Sequence, residues 1–269
     1  MNSMLKKALI NLVLPLVVIV LAWSFNIWFG IAALLLYIAI QLYLSRPMLF
    51  NMIGSRKYSL GQTEDALNWF KKAYDTKKAG PRVIVSYGYL LLKSAQLEKA
   101  EEVLRQVLNS KAASGDITYT KSIFALVLWK KGELDAAADM LLEVIQTYRT
   151  TSVYGSLGYL LILKGDLEKA LQFNLEAYDY NSSDKVIQDN LGQNYYMLGM
   201  YDKSREIYEA LMDKEPAFPE PYFNYGLLLE KLGEPEKALE SMKKALEYKF
   251  SYLSSIRKED VEAKIREAT

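Results

Sequence analysis

The 269-residue chain contains no histidine and no cysteine. Those two absences remove Cys and His nucleophiles, Ser-His-Asp triads, thiolate and imidazole zinc sites, and disulfides. The lack of cysteine says nothing about compartment, whereas the lack of histidine removes the commonest acid/base group near neutral pH. An excess of charge of one sign is missing too: 33 basic and 32 acidic side chains leave a net +1, so there is no bulk electrostatic case for binding nucleic acid. The chain carries neither a Walker A pattern nor a dinucleotide fingerprint. Acidic pairs such as Glu101-Glu102 are adjacent on surface-like helix positions and form no poised constellation. The reading is therefore of a protein that is not an enzyme, with no catalytic, cofactor-binding or metal-binding residue nominated and no cofactor.

What is present begins with two apolar runs. Residues 8–23 read ALINLVLPLVVIVLAW and residues 27–44 read IWFGIAALLLYIAIQLYL. At about 1.5 Å per residue they would span roughly 24 and 27 Å, slightly short of a hydrocarbon core of about 30 Å, and flanking residues extend both. Ser24-Phe25-Asn26 alone separates them, so a break there gives a two-helix transmembrane hairpin over residues 1–45, with spans near 8–24 and 27–44. Trp23 and Trp28 flank the turn, where indole rings favour an interface, and Pro15 is tolerated within a span. A cleaved signal peptide and a re-entrant hairpin are the alternatives; LAWSFN offers no small-x-small cleavage site. Lys6 and Lys7 precede the first run, Arg46, Arg56 and Lys57 follow the second, and the turn is uncharged. The positive-inside rule then places both termini in the cytoplasm. Pro47 is expected as the first residue of the helix that follows.

From residue 46 the chain repeats itself. GQTEDALNWFKKAYD (61–75), GDLEKALQFNLEAYDYN (165–181) and GEPEKALESMKKALEY (233–248) share one phase. A small turn residue recurs at Gly61, Ala95, Gly132, Gly165, Gly199 and Gly233, in steps of 34, 37, 33, 34 and 34. Five residues after each stands Ala66, Ala100, Ala137, Ala170, Ser204 or Ala238, and seven before each stands Gly54, Gly88, Ala125, Gly158, Gly192 or Gly226. A period near 34 means a stacked array. In the last copy Tyr222, Tyr225, Gly226 and Leu229 share one helical face, Gly233 ends that helix, Pro235 opens the next, and Ala238, Leu239, Met242, Ala245 and Leu246 form its inward stripe. Small residues let the two backbones approach at their crossing.

The copies at 190–216 (NLGQNYYMLGMYDKSREIYEALMDKEP) and 223–246 (FNYGLLLEKLGEPEKALESMKKAL) resemble the tetratricopeptide repeat (TPR) family. The first keeps Gly192, Tyr195, Gly199, Tyr201, Tyr208 and Pro216 of that pattern; Ser204, Ala95 and Ala125 depart from it. The resemblance covers about 46–250 as six units, near 47–80, 81–117, 118–150, 151–184, 185–218 and 219–250, followed by a capping helix over 251–269 with Ile256, Val261 and Ile265 inward. Three extra residues near KAASGD are expected to bend the stack or lengthen a loop. The resemblance implies an all-α, right-handed superhelix whose first helices line a concave groove, which in such proteins binds peptides or helices of partner proteins.

By analogy, the groove-facing candidates are Tyr89, Trp129, Tyr159, Asn190, Gln193, Tyr196, Phe223 and Asn224. Aromatic rings supply stiff contact area, and Asn190 and Asn224, at equivalent places in adjacent units, can bond a peptide backbone. Packing between helices is the competing reading of Trp129 and Tyr159. A basic clamp for a partner's carboxylate is incomplete, with only Lys93 and Lys130 as contributors. Residues 46–82 carry eight basic and three acidic side chains, against six and ten over 205–248, which sets a basic base beside anionic lipid or simply a solvated face. Two functions follow as expectations. One is a membrane-anchored adaptor holding a partner's peptide or helix, with the bilayer contacted by 1–45 and no nucleic-acid partner. The other is a self-associating structural scaffold at the membrane.

Overall fold

A computed structural model describes residues 13–268, all of whose regular structure is helical. The start of the first apolar run, residues 8–12, lies outside the described residues. The described chain divides into two units, at Val83 and Ile84.

The first unit holds three helices: α1 (Leu14–Phe25), α2 (Ile27–Ser59) and α3 (Thr63–Asp75). Asn26 alone separates α1 from α2, with an extended backbone, and its side-chain Oδ1 accepts from the Trp28 N–H at 2.9 Å. That cap satisfies one of the free N–H groups of the α2 N-terminus. The two helices fold against one another here, so closely that a Cβ on Gly30 would lie 2.8 Å from the Trp23 ring. Apolar side chains of both face outward, with Phe25 84% and Trp28 73% exposed. By length and composition α2 is the one helix among the described residues able to cross a membrane, and α1 is a shorter apolar helix.

The start of a new helix at Pro47 is not what the structure shows. Pro47 lies inside α2, which runs without a break for 33 residues from the apolar stretch into the first repeat. A proline in a helix interior removes one N–H bond, here to the carbonyl four residues back, and crowds it. The buried ring at 47 and the packing beyond it hold the helix together: Gly54 meets the Phe70 ring of α3, and the Phe50 and Trp69 rings are 5.6 Å apart.

From Ile84 onward helices alternate in antiparallel-compatible pairs: α4 (Pro81–Lys93) with α5 (Leu97–Leu108), α6 (Ser114–Lys130) with α7 (Leu134–Ile145), α8 (Thr151–Lys164) with α9 (Leu167–Tyr180), α10 (Lys185–Met197) with α11 (Tyr201–Met212), and α12 (Glu220–Lys231) with α13 (Pro235–Ala245). The single helix α14 (Lys258–Glu267) follows. Three devices recur. Every turn position from Gly61 to Gly233 takes a left-handed backbone, including Ala95 at φ 59°. At five of the six turns the N–H after it bonds back to a carbonyl five residues earlier, as from Glu133 to Leu128 at 2.9 Å, closing the helix C-terminus. The small residues at the crossings, Ala66, Ala100, Ala137, Ala170, Ser204 and Ala238, are all buried.

The crossings are tight enough to explain the glycines. A Cβ on Gly192 would sit 2.8 Å from the Tyr208 ring, and one on Gly226 would sit 2.7 Å from Met242 Cγ. The three extra residues near KAASGD do not lengthen a loop. They extend α6 to 17 residues, against 12 to 14 in the other first helices of this unit, so the insertion is absorbed as about one added turn. At the C-terminal end α14 covers the last pair. Val261 is fully buried with Tyr222 and Ala245, and Ile256 and Ile265 pack against them. Burying such a side chain stabilises the end repeat by about 1.5–3 kcal/mol.

Candidate functional site

Helical periodicity brings one face of each first helix to a common surface. On α6, Tyr119, Ser122, Ile123, Leu126 and Trp129 stand at i, i+3, i+4, i+7 and i+10; on α8, Ser152, Gly155, Ser156 and Tyr159 do the same over two turns. With Tyr89 of α4, Tyr148 and Thr150 before α8, Thr151 at its start, and Asp184, Val186, Asp189 and Asn190 around the start of α10, they line a cavity of about 780 Å³. Phe218, Glu220, Leu253 and Ser255 close it at the far end. Its size falls within the range of small-ligand and peptide-anchor pockets.

Of the eight groove candidates, Tyr89, Trp129, Tyr159 and Asn190 line this cavity, and Gln193, Tyr196, Phe223 and Asn224 do not. Trp129 and Tyr159 meet edge to face, with ring centroids 5.5 Å apart, and both remain partly exposed. They pack on each other and face the cavity at once. Tyr196 packs instead on the Tyr208, Leu211 and Leu228 cluster, and Phe223 on the cluster around Tyr222 and Val261.

The two asparagines are engaged inside the protein. Asn190 Nδ2 donates to the Gly155 carbonyl of α8 at 2.7 Å, and Asn224 Nδ2 donates to Asp189 Oδ1 at 3.0 Å. Both are buried, and each amide ties its helix to the first helix of the preceding repeat. Asn174 and Asn194 add a third brace, with Asn174 Nδ2 donating to Asn194 Oδ1 at 3.0 Å and Asn194 Nδ2 to the Leu167 carbonyl at 3.0 Å. The equivalence of Asn190 and Asn224 in the repeat thus reflects a shared structural bond across helices rather than two free amides.

Asp189 is a feature that sequence reasoning missed. It lies on the cavity wall but is almost fully buried. Tyr208 Oη donates to its Oδ1 at 3.1 Å, beside the Asn224 bond. Burial raises its carboxyl from 3.8 to about 7, with the Glu220 charge adding to the rise and the Asn224 and Tyr208 bonds opposing it. Burial likewise raises the Tyr159 phenol, opposed by a bond with Ser255 and assisted by Asp189 and Glu220.

The cavity's far wall is the chain's own segment between α13 and α14. Lys130 Nζ donates to the Ser254 carbonyl at 3.1 Å, and the Ser255 N–H donates to Glu220 Oε1 at 3.1 Å. These are the two sides of a single peptide group, held between α6 and α12. Lys130 lies 3.9 Å from the Trp129 ring centroid and 5.4 Å from that of Tyr252. Burial lowers its ammonium pKa, opposed by the Glu220 charge. Lys130 is therefore taken up by this strap. Among the described residues no cluster of three or more acidic side chains is arranged to hold a metal.

Comparison with known proteins agrees with this architecture. Family models described as tetratricopeptide repeat match residues 124–185, 188–217 and 219–250. A tetratricopeptide repeat protein from Parabacteroides merdae superposes with a TM-score of 0.66 at 12% identity, covering 94% of this chain and 98% of that one. The structure reported as a functional characterization of Pseudomonas aeruginosa pilF gives a TM-score of 0.59 at 15% identity, over 74% and 90%. Among curated proteins, BBSome complex member BBS4 of Bos taurus is 27% identical over 111 residues, 41% of this chain and 21% of that protein. A TPR repeat-containing protein of Methanocaldococcus jannaschii is 22% identical over 158 residues, 58% of this chain and 27% of its own. The chain thus spans about a fifth to a quarter of the length of these curated relatives. With its paired helices, its small-residue crossings and three matched stretches, the chain carries tetratricopeptide repeats between residues 124 and 250.

Proposed function

We propose that the protein is a membrane-anchored adaptor whose repeats hold a peptide or helical segment of a partner protein in the cavity between α4 and α12. One observation carries the reading: a concave space of about 780 Å³ walled by Tyr89, Tyr119, Trp129, Tyr148 and Tyr159 from successive repeats. Rings presented on rigid helices give contact area at little conformational cost. Catalysis has no place in this reading, because the cavity carries no nucleophile paired with a base.

Anchoring rests on the apolar, outward-facing surface of α1 and α2. Such a surface is unfavourable in water and suits hydrocarbon. In this reading α1 with the residues before it, and α2, form two spans turning at Asn26. The basic residues Arg46, Arg56 and Lys57 mark the cytoplasmic side, on which the repeats and both termini lie. The guanidinium of Arg46 over the Tyr43 ring, at 4.1 Å, is the kind of pair found at a membrane interface.

Ser156 lines the cavity and stands on an accessible face of α8. Ser156→Trp should fill the groove while leaving the helix crossings intact. Crosslinking and recovery from native membranes, comparing wild type with Ser156→Trp, tests the proposal: a partner lost on substitution supports it. Recovery of the same partner by both proteins refutes the groove as the binding surface. A self-associating scaffold predicts instead oligomers in detergent whose size Ser156→Trp does not change.

A further inference from the structure

We infer that the groove selects a partner segment carrying a basic side chain, arginine or lysine, whose cationic head lies against Glu220 and Asp189 beside the Tyr159 ring. This rests on the groove reading above and specifies its ligand. The first ground is charge. Among the described residues Asp184, Asp189 and Glu220 line the cavity, and no lysine or arginine does. The nearest cation, Lys130, is turned to the strap, where it holds the Ser254 carbonyl and covers the Trp129 ring. Apart from Lys93, which lies 5.9 Å from the Tyr89 ring centroid, one ammonium thus faces Asp184, Glu220 and the buried carboxyl of Asp189, which burial raises to about 7. The second ground is placement. Tyr159, Asp189 and Glu220 all line the cavity, and Glu220 is fixed at its wall by the Ser255 N–H at 3.1 Å. In keeping with that, the Glu220 charge raises the cost of ionising Asp189, and both raise that of Tyr159. A guest cation there would meet the Glu220 carboxylate, the Asp189 carboxyl, whose ionised form its charge would favour, and an aromatic ring, the combination that holds guanidinium and ammonium groups. The third ground is precedent within the molecule. Lys130 already shows an ammonium stacked on a groove ring near Glu220. The hydroxyls of Thr150, Thr151, Ser152 and Ser156 supply neutral acceptors along the remaining wall.

The expected guest is an extended segment with one or two basic residues among aromatic or aliphatic ones. An acidic segment would place its charges against Asp184 and Glu220 and is disfavoured.

The test uses the full chain in an uncharged detergent. Fluorescein-labelled ten-residue peptides of Gly, Ser and Tyr carry at two central positions either arginine, its neutral isostere citrulline, or glutamate. Binding is followed by anisotropy. The arginine peptide should bind at least about tenfold more tightly than the citrulline peptide, and the glutamate peptide most weakly. Glu220→Gln with Asp189→Asn keeps an acceptor oxygen at both positions and should bring the arginine-to-citrulline ratio close to one. Citrulline binding itself should persist. Equal affinity of arginine and citrulline peptides for wild type, a preference surviving in the double variant, or no arginine-peptide binding up to about 1 mM overturns the inference. The groove reading fails separately, if Ser156→Trp leaves all peptide binding unchanged.

Discussion

Asp189 offers the sharpest quantitative check on the packing between α10, α11 and α12. Its carboxyl rises from 3.8 in an ordinary setting to about 7, chiefly through burial. The folded state therefore holds the proton more tightly than the unfolded chain does. Stability linked to this group is fully present below the unfolded value and is lost as pH rises through the folded one. A carboxyl that titrates one pH unit higher in the folded state than in the unfolded chain contributes about 1.4 kcal/mol, so the total loss approaches about 4 kcal/mol above neutrality. Most of it falls between pH 5 and 7.5, where the expected change is about 2–3 kcal/mol. Asp189→Asn removes the titration. Its side-chain oxygen can still accept from Tyr208 Oη and Asn224 Nδ2, the two bonds that Asp189 Oδ1 now receives. Urea unfolding of both proteins in detergent, followed by far-UV ellipticity at a series of pH values, gives the difference directly; other carboxylates cancel in it. The variant should gain on wild type steadily as pH rises, by about 2–3 kcal/mol over that window. A difference that stays flat from pH 5 to 7.5, or falls, would show that Asp189 is not the desolvated carboxyl described here.

Other expectations concern the repeat frame and the anchor. Ala95 alone among the six turn positions holds a left-handed backbone with a side chain, so Ala95→Gly should raise the unfolding free energy by about 0.5–1 kcal/mol, read by urea denaturation. Gly192→Ala should cost about 1–3 kcal/mol, because its Cβ would stand 2.8 Å from the Tyr208 ring, with a lowered thermal midpoint as the readout. Asn190→Ala removes the second bond received by the buried Gly155 carbonyl, which keeps its helix bond, and should cost about 0.5–1.5 kcal/mol by the same measurement, even in the absence of any partner. With no native cysteine in the chain, single substitutions label cleanly. In intact cells an impermeant maleimide should modify Asn26→Cys and spare Ser94→Cys, and the opposite pattern would reverse the proposed orientation.

The repeat frame was legible because its markers are steric. A backbone crossing admits only a small side chain, and a left-handed turn favours glycine, so both requirements appear as residue identities at fixed intervals. Gly88, Gly192 and Gly226 are assigned to crossings by their spacing alone, and each meets a side chain of the partner helix there. Continuity through Pro47 was not legible, since proline more often opens a helix than sits within one, and only the packing of Gly54 and Phe50 on α3 decides it. The groove was half legible. Trp129 and Tyr159 stood out as aromatic, and counting back along their helices by three and four residues would have found Tyr119, Ser122, Ile123, Leu126, Ser152 and Ser156. The internal bonds of Asn190 and Asn224 were not legible, because an amide looks the same in sequence whether it faces a guest or a neighbouring helix. Asp189, Glu220 and the strap at Ser254 and Ser255 depend on residues 31 to 35 apart or more meeting in space, which no local pattern announces.

The unbroken run of α2 has a mechanical corollary. A single rod that begins among outward-facing leucines and ends against Phe70 has no swivel between its two tasks. The angular setting of the α3 pairing about that rod is fixed by residue count alone: one alanine inserted after Leu44 would turn it by about 100° and advance it by about 1.5 Å. Phase, rather than linker length, governs which way the first pair of helices looks.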